Sequence, residues 1–73
     1  MPREDDPVKR EIYQLRSELI HVVTEHIKAN NLKQREVAEL LGISQPRVST
    51  LMKRDFESFR LDTLVGFARA AAL

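Results

Sequence analysis

The sequence predicts an all-α fold, a bundle of four to five helices around one small core. Apolar residues recur at the three- and four-residue spacings of amphipathic helices in several separate stretches. No stretch combines alternation of apolar and polar residues with enrichment in β-branched residues, which argues against strands. The chain has 73 residues, 42% of them hydrophobic and 32% charged, so it has the composition of one ordinary folded domain.

The first predicted helix begins after Asp6 at Pro7, because an aspartate caps free amides and the fixed φ of proline suits a first turn. Its regularly spaced apolar stripe consists of Val8, Ile12, Leu15, Leu19 and Val22. Asparagine tolerates the left-handed conformation that closes helices, so we expect the helix to end near residues 30–31. Residues 1–6 are expected to form a flexible tail, and residues 7–73 a single domain.

Three shorter helices are predicted to follow. The second covers residues 32–41 and ends at Gly42, since glycine adopts a positive φ without steric cost. The third begins after Ser44, a favourable N-cap residue, and extends to about residue 54. After a connector of residues 55–60, the fourth helix continues to the end of the sequence given.

The segment of residues 34–51, QREVAELLGISQPRVSTL, predicts a helix-turn-helix. Two short helices cross steeply when a small residue separates them, a left-handed residue makes the turn, and apolar residues of the second helix reach the core. Four residues meet these demands in order: Ala38, Gly42, Val48 and Leu51. The alternative is a pair of unrelated short helices with ordinary core residues.

The longer segment LKQREVAELLGISQPRVSTLMKR resembles the phage-repressor-like helix-turn-helix proteins of the Cro and cI type, the XRE family. The resemblance covers about residues 19–70 and includes Gln34, which opens the second helix, and Gln45, which opens the third. It implies a repressor-like bundle whose residues 45–54 form a recognition helix in the DNA major groove. The later segment FESFRLDTL resembles the antitoxin branch of that family, small autoregulators encoded beside toxins.

The chemistry of the third helix agrees with a role in base reading. With Val48, Leu51 and Met52 facing inward, a polar and basic face points outward. The candidate base-reading residues are Gln45, Pro46, Arg47, Ser49 and Thr50. Glutamine can bond adenine and arginine can bond guanine bidentately, while proline or a threonine methyl can touch a thymine methyl. A solvated amide is the alternative for Gln45, and a phosphate or water contact is the alternative for Arg47.

Phosphate contacts are expected beside the base contacts, because helix N-termini and basic side chains attract anions. The candidates are Lys33, Gln34, Ser44, Lys53 and Arg54. All five lie in a basic block, residues 28–54, which holds six basic and two acidic side chains. Lys33 and Arg60 stand where the family commonly has a capping Ser or Thr, so they weaken the caps and add positive charge. A solvated face is the alternative for Lys28, Lys33 and Arg35.

Several classes of function are excluded by composition and spacing. Cysteine is absent, which removes disulfides, thiolate metal sites and thiol nucleophiles. His21 and His26 are not the i, i+4 pair that grips a metal. We find no catalytic motif, and therefore expect neither an enzyme nor a cofactor. No apolar run approaches the roughly 20 residues that span a bilayer, and the charged N-terminus is no secretory signal, which predicts a cytoplasmic protein without a membrane partner.

The first helix also predicts self-association. Its apolar residues cover about 160° of the helical wheel, wider than the roughly 100° that a surface helix buries. We expect a homodimer through the N-terminal part of this helix or through the C-terminal end. The candidate interface residues are Ile12, Tyr13, Leu15, Ala70 and Leu73. A long helix that merely covers its own core is the alternative.

These observations predict a sequence-specific DNA-binding transcriptional regulator that acts as a dimer on a palindromic, double-stranded operator. It would repress by occupying the operator; as an antitoxin it would also hold a protein toxin through another surface. The alternative is a protein-interaction module that binds a toxin or a polymerase subunit with little DNA binding. The net charge of only +1 keeps this alternative open.

Overall fold

The computed structural model describes residues 7–73, which form four α-helices and one short 3-10 helix. The elements in chain order are α1 (Pro7–Ala29), α2 (Gln34–Leu41), α3 (Gln45–Met52), the 3-10 helix (Phe56–Ser58) and α4 (Leu61–Ala70). No strand occurs within these residues, so the prediction of an all-α bundle is confirmed. The predicted tail of residues 1–6, with the predicted cap Asp6, lies outside the described residues.

All four α-helices contribute to one hydrophobic core. The main contacts join α1 to α4 and α2 to α3, and further contacts join α2 to α4 and α1 to α3. The buried core side chains are Ile20, Val23, Ile27, Val37, Val48, Leu51, Phe59, Leu64, Phe67 and Ala68. Burial of this apolar surface is the main force that holds such short helices together, since each would be marginal alone.

The buried face of α1 is not its most regularly spaced apolar stripe. The core takes the adjoining face, which begins at Ile20 and includes Val23 and Ile27. Four of the five stripe residues are exposed: Val8, Ile12, Leu15 and Val22. The N-terminal half of α1 therefore contributes no buried residue to the core, and the molecule is elongated, with principal extents of 41 × 21 × 17 Å.

Left-handed residues end α1 and α2 at the predicted places. Asn31 has a φ of 52° and Gly42 a φ of 69°. After α2, the Ile43 amide donates to the Ala38 carbonyl oxygen at 3.0 Å, which closes the helix in a Schellman arrangement. This closure directs the chain from α2 into α3 through a turn of only three residues, 42–44.

Some helix boundaries differ from the prediction. α2 begins at Gln34 rather than residue 32, because Lys33 has an extended backbone and occupies the N-cap position. α3 ends at Met52 rather than about residue 54, because Arg54 adopts a left-handed φ of 59°. The predicted connector contains the 3-10 helix, and α4 ends at Ala70.

Candidate nucleic-acid interface

Each residue that predicted the helix-turn-helix has the expected place in it. Val48 and Leu51 of α3 are fully buried, and Ala38 of α2 packs against the same core. Gly42 makes the turn. A Cβ built on this glycine would meet no atom within 4 Å, so its positive φ, and not a lack of space, is what requires glycine. The helix-turn-helix prediction is therefore confirmed.

Ser44 caps the start of α3 as predicted. Its backbone is extended, and its Oγ accepts a hydrogen bond from the Arg47 amide at 3.3 Å. Pro46 follows in the first turn, where its missing N–H costs no helical hydrogen bond. Because Pro46 has no N–H and the Arg47 amide is already bonded, the start of α3 offers few amides to a phosphate.

The side of α3 opposite the core is open to solvent. Gln45, Pro46 and Lys53 are exposed, while Ser49 and Thr50 are half-buried. The Thr50 hydroxyl donates to the Pro46 carbonyl oxygen at 3.2 Å, which leaves its methyl group for contacts with a ligand. α3 therefore presents a narrow surface of one amide, one ammonium, two hydroxyls and small apolar groups. We call these five residues the outward face of α3.

Arg47 is held away from the outward face. Its Nη2 donates to the Ser58 carbonyl oxygen at 3.1 Å, and its Cζ lies 4.2 Å from the centroid of the Phe59 ring. The helical step of about 100° explains this, because it places Arg47 on the flank of α3 that adjoins Leu51. To contact a guanine, the Arg47 side chain would have to leave both partners.

The predicted phosphate contacts Lys33 and Gln34 lie together at the start of α2, and both are exposed. Lys33 occupies the N-cap position, where an ammonium cannot accept from an amide. Half of a capping box forms in its place, since the Lys33 amide donates to Glu36 Oε1 at 3.0 Å. Arg60, at the N-cap of α4, has no side-chain cap either. The first-turn amides of α2 thus lie beside two exposed polar side chains, those of Lys33 and Gln34.

Arg54 is, after Arg47, the second predicted DNA contact whose guanidinium has a partner inside the subunit. Its Nη2 lies 2.7 Å from Glu25 Oε1, an ion pair that joins the end of α3 to α1. The hydrogen bond from Arg54 holds the pKa of Glu25 below its ordinary value of 4.5. Desolvation opposes this shift, while the charges of Arg54, Lys28 and His21 add to it. Both side chains keep solvent contact, so Glu25 competes with any phosphate for Arg54.

Arg16, which the sequence patterns did not single out, organises the segment beside α3. Its guanidinium donates to three carbonyl oxygens, at 3.1 Å to Phe59, 3.0 Å to Phe56 and 3.3 Å to Glu57. With Arg47 on Ser58, two guanidiniums bind the four consecutive carbonyls of residues 56–59. Its helical position could have identified it. Arg16 lies four residues before Ile20, and residues four apart share one face of a helix, here the buried face of α1.

The candidate dimer residues lie at two separate places on the surface. Tyr13 is 38% exposed, and its ring packs edge-on against Phe56 with centroids 5.7 Å apart. The other candidates are all exposed: Ile12, Leu15, Ala70 and Leu73. Both predicted surfaces are thus accessible, but Tyr13 already has an intramolecular partner.

Two other kinds of feature are not found in the described part of the chain. No group of three or more His, Cys, Asp or Glu side chains in residues 7–73 is placed to hold a metal ion. None of the helices in the same range combines the length and apolar character needed to cross a membrane.

The comparisons with known proteins agree with the geometry. Residues 4–73 match a family model described as a helix-turn-helix domain. No curated protein matches the chain at a significant level. The match covers α1 as well as α2 and α3, so the family is defined over the whole bundle.

Proposed function

Because the chain belongs to this helix-turn-helix domain family, we propose that it is a sequence-specific DNA-binding regulator of transcription. The observation that carries the proposal is the outward face of α3, which is polar and accessible while Val48 and Leu51 anchor the opposite side in the core. A helix presented in this way fits the major groove, where base edges carry distinct patterns of donors and acceptors.

The proposed interface combines the outward face of α3 with residues at the starts of α2 and α3, and it divides into residues suited to bases and residues suited to phosphates. Gln45 can bond the edge of an adenine, a contact that contributes about 1 to 3 kcal/mol of discrimination. Pro46, Ser49 and the Thr50 methyl group can contact neighbouring base edges. The phosphate contacts we propose are Lys33, Gln34, Ser44 and Lys53. Arg47 and Arg54 would join the interface only by exchanging their present partners for DNA.

We further infer that the regulator acts as a homodimer on a palindromic operator. Two α3 helices would enter successive major grooves about 34 Å apart, which explains why such operators repeat each half-site. Occupancy of the operator would exclude polymerase, so the regulator would be a repressor or autoregulator of the XRE type in the cytoplasm. If the chain is an antitoxin, a toxin would bind to a surface other than the outward face.

The second candidate function is a protein-interaction module for a toxin or a polymerase subunit. It is favoured by the ion pair of Arg54 with Glu25 and by the bonding of Arg47 to Ser58, because both withdraw positive charge from the interface. The net charge of +1 points the same way, since non-specific attraction to DNA depends on accessible cations.

A mobility-shift titration at fixed salt concentration tests the proposal. The probes are a palindromic DNA fragment from the region upstream of the protein's own gene and a DNA duplex of random sequence and equal length. Gln45→Ala is expected to relax discrimination at one base position. Lys53→Ala is expected to weaken binding to every sequence and to reduce the slope of log affinity against log salt by about one.

Arg69→Ala is the matched control, because Arg69 is an exposed basic residue on α4, outside the helix-turn-helix. It should change binding to neither probe. Equal affinity of the wild-type protein for the two probes would refute sequence-specific recognition. An absence of binding to both would favour the interaction module.

A further inference from the structure

We propose that residues 8–22 of α1 pair in parallel with the same segment of a second copy of the chain, as a short two-stranded coiled coil. The seam, as we call it, consists of Val8, Ile12, Leu15, Leu19 and Val22. This inference rests on the proposed function and deepens it, because it selects one of the two candidate surfaces for the dimer and gives the pairing its direction.

The spacing of the seam is that of a coiled coil. Its residues follow one another at alternating distances of four and three, so Ile12 and Leu19 fall at the a positions of a heptad and the other three at the d positions. The core of the subunit does not use this stripe. The residues that α1 buries, from Ile20 onward, are centred about 110° around the helix from the seam.

The structure leaves the seam accessible along most of its length. Val8 is 64% exposed, Leu15 46%, Val22 45% and Ile12 38%, while Leu19 packs partly against the core. A continuous apolar strip on the surface of a small domain marks an interaction site. The occupant must match this strip over about two heptads, as a second copy of the same helix does.

The charges beside the seam favour a parallel pair. Glu11 and Glu18 occupy the g positions on one flank, and Lys9 and Arg16 occupy the e positions on the other. In a parallel coiled coil the g residue of one helix faces the e residue five positions later in its partner, which places Glu11 opposite Arg16 of the second copy. In an antiparallel pair, glutamates would face glutamates.

The surface of α1 supplies room for this contact. Glu11 and Glu18 line the acidic flank of the seam, and both are exposed. Arg16 binds the carbonyls of its own subunit through Nε and Nη2, so its Nη1 donors are available to a carboxylate across the interface. One guanidinium can thereby hold the 3-10 segment and contact the second copy.

The other candidate surfaces fit a second copy less well. Tyr13 lies off the seam, and its ring is already packed against Phe56. At the C-terminal end, Leu73 is a single large exposed side chain, at 51%, with no heptad partner. The seam offers four exposed aliphatic side chains in one line.

Cysteine cross-linking tests the pairing and its direction, because the chain contains no cysteine of its own. The variants are Val8→Cys, Leu15→Cys and Val22→Cys, with the exposed, off-seam Gln14→Cys as matched control. In a parallel pair each seam position meets itself at a separation that a disulfide can span. We expect all three seam variants to form disulfide-linked dimers at least ~10-fold faster than the control, since pairing raises the local thiol concentration.

The outcomes separate the alternatives. Cross-linking of Val8→Cys only when it is mixed with Val22→Cys would overturn the proposal in favour of an antiparallel pair. Seam variants that cross-link no faster than Gln14→Cys, while circular dichroism shows native helix content, would overturn pairing through α1. The experiment uses no DNA, so its failure leaves the proposed function standing. A dimer that cross-links but binds no operator would support the pairing and refute the proposed function.

Discussion

The two arginines predicted to contact DNA illustrate what determines the role of a single side chain. Arg47 lies within α3 and Arg54 two residues beyond its end, so both are close in sequence to the recognition surface. Their partners come from distant parts of the chain: Ser58 for the first and Glu25 for the second. A side chain held in this way contributes to DNA binding only the difference between its new contacts and those that it gives up. The position of each arginine could therefore be predicted from sequence, but its intramolecular partner, which decides whether the guanidinium can bind DNA, could not.

At the residue scale, Glu25→Gln is expected to strengthen DNA binding. The change removes the carboxylate that pairs with Arg54 at 2.7 Å and releases the guanidinium to a phosphate. Binding to operator and to random DNA should tighten together, and the salt slope should steepen by about one, because one further phosphate is neutralised. A fluorescence titration at several salt concentrations measures both effects.

The control for this prediction is the same substitution in an Arg54→Ala background. If the gain arises from the released guanidinium, it should largely vanish there, which a double-mutant cycle quantifies. A gain of equal size in both backgrounds would show that Glu25 acts only through its own charge.

At the element scale, features set by a few neighbouring residues could be predicted from sequence, but features set by tertiary packing could not. Asn31, Gly42 and Ser44 end or begin helices at their predicted places, because capping is decided by local geometry. The buried face of α1 was ambiguous from sequence, since two apolar faces satisfy the helical period and the position of α4 decides between them. The 3-10 helix was not predicted because Arg16, 40 residues before Phe56, helps to shape it.

The turn of the helix-turn-helix gives a prediction for which the chain contains its own control. Gly42→Ala should destabilise the protein by about 1 to 2 kcal/mol, the cost of a Cβ in the left-handed conformation. Gly66→Ala should instead stabilise it by about 0.5 to 1 kcal/mol, because Gly66 lies within α4. Neither added Cβ would meet an atom within 4 Å, so the contrast isolates backbone conformation. Urea denaturation measures both, and changes of equal sign would contradict a backbone origin.

The 3-10 segment gives a second prediction at this scale. Arg16→Ala removes the donors to three carbonyl oxygens and should lower the free energy of unfolding by about 1.5 to 3 kcal/mol, the range for hydrogen bonds to a charged group. Amide exchange should accelerate in residues 56–59 before it does so in α4. Lys9→Ala, an exposed basic residue on the same helix, is the control and should change neither quantity. Unchanged exchange in the segment would show that Arg47 alone suffices to hold it.

At the scale of the whole molecule, the division of α1 into two halves is the consequential feature. Its C-terminal half completes a core that every helix of the bundle shares, and its N-terminal half extends beyond that core. The sequence could predict that α1 was too apolar to be covered by one subunit, because that excess is visible on a helical wheel. It also indicated the N-terminal part of the helix as a candidate interface, but it could not predict which of the two apolar faces would stay uncovered, because that depends on the helices packed against α1.

The last prediction joins this feature to DNA recognition. If pairing through α1 brings two outward faces to one operator, Leu15→Glu should bind the full palindrome no more tightly than a single half-site, since the advantage of a second site requires linked subunits. Affinity for the half-site should be unchanged, because Leu15 lies on α1, outside the helix-turn-helix. Gln14→Glu introduces the same charge one residue away from the seam and should retain the preference for the palindrome. Equal losses of Leu15→Glu on half-site and palindrome would mean that the seam supports the fold of one subunit and not the pairing of two.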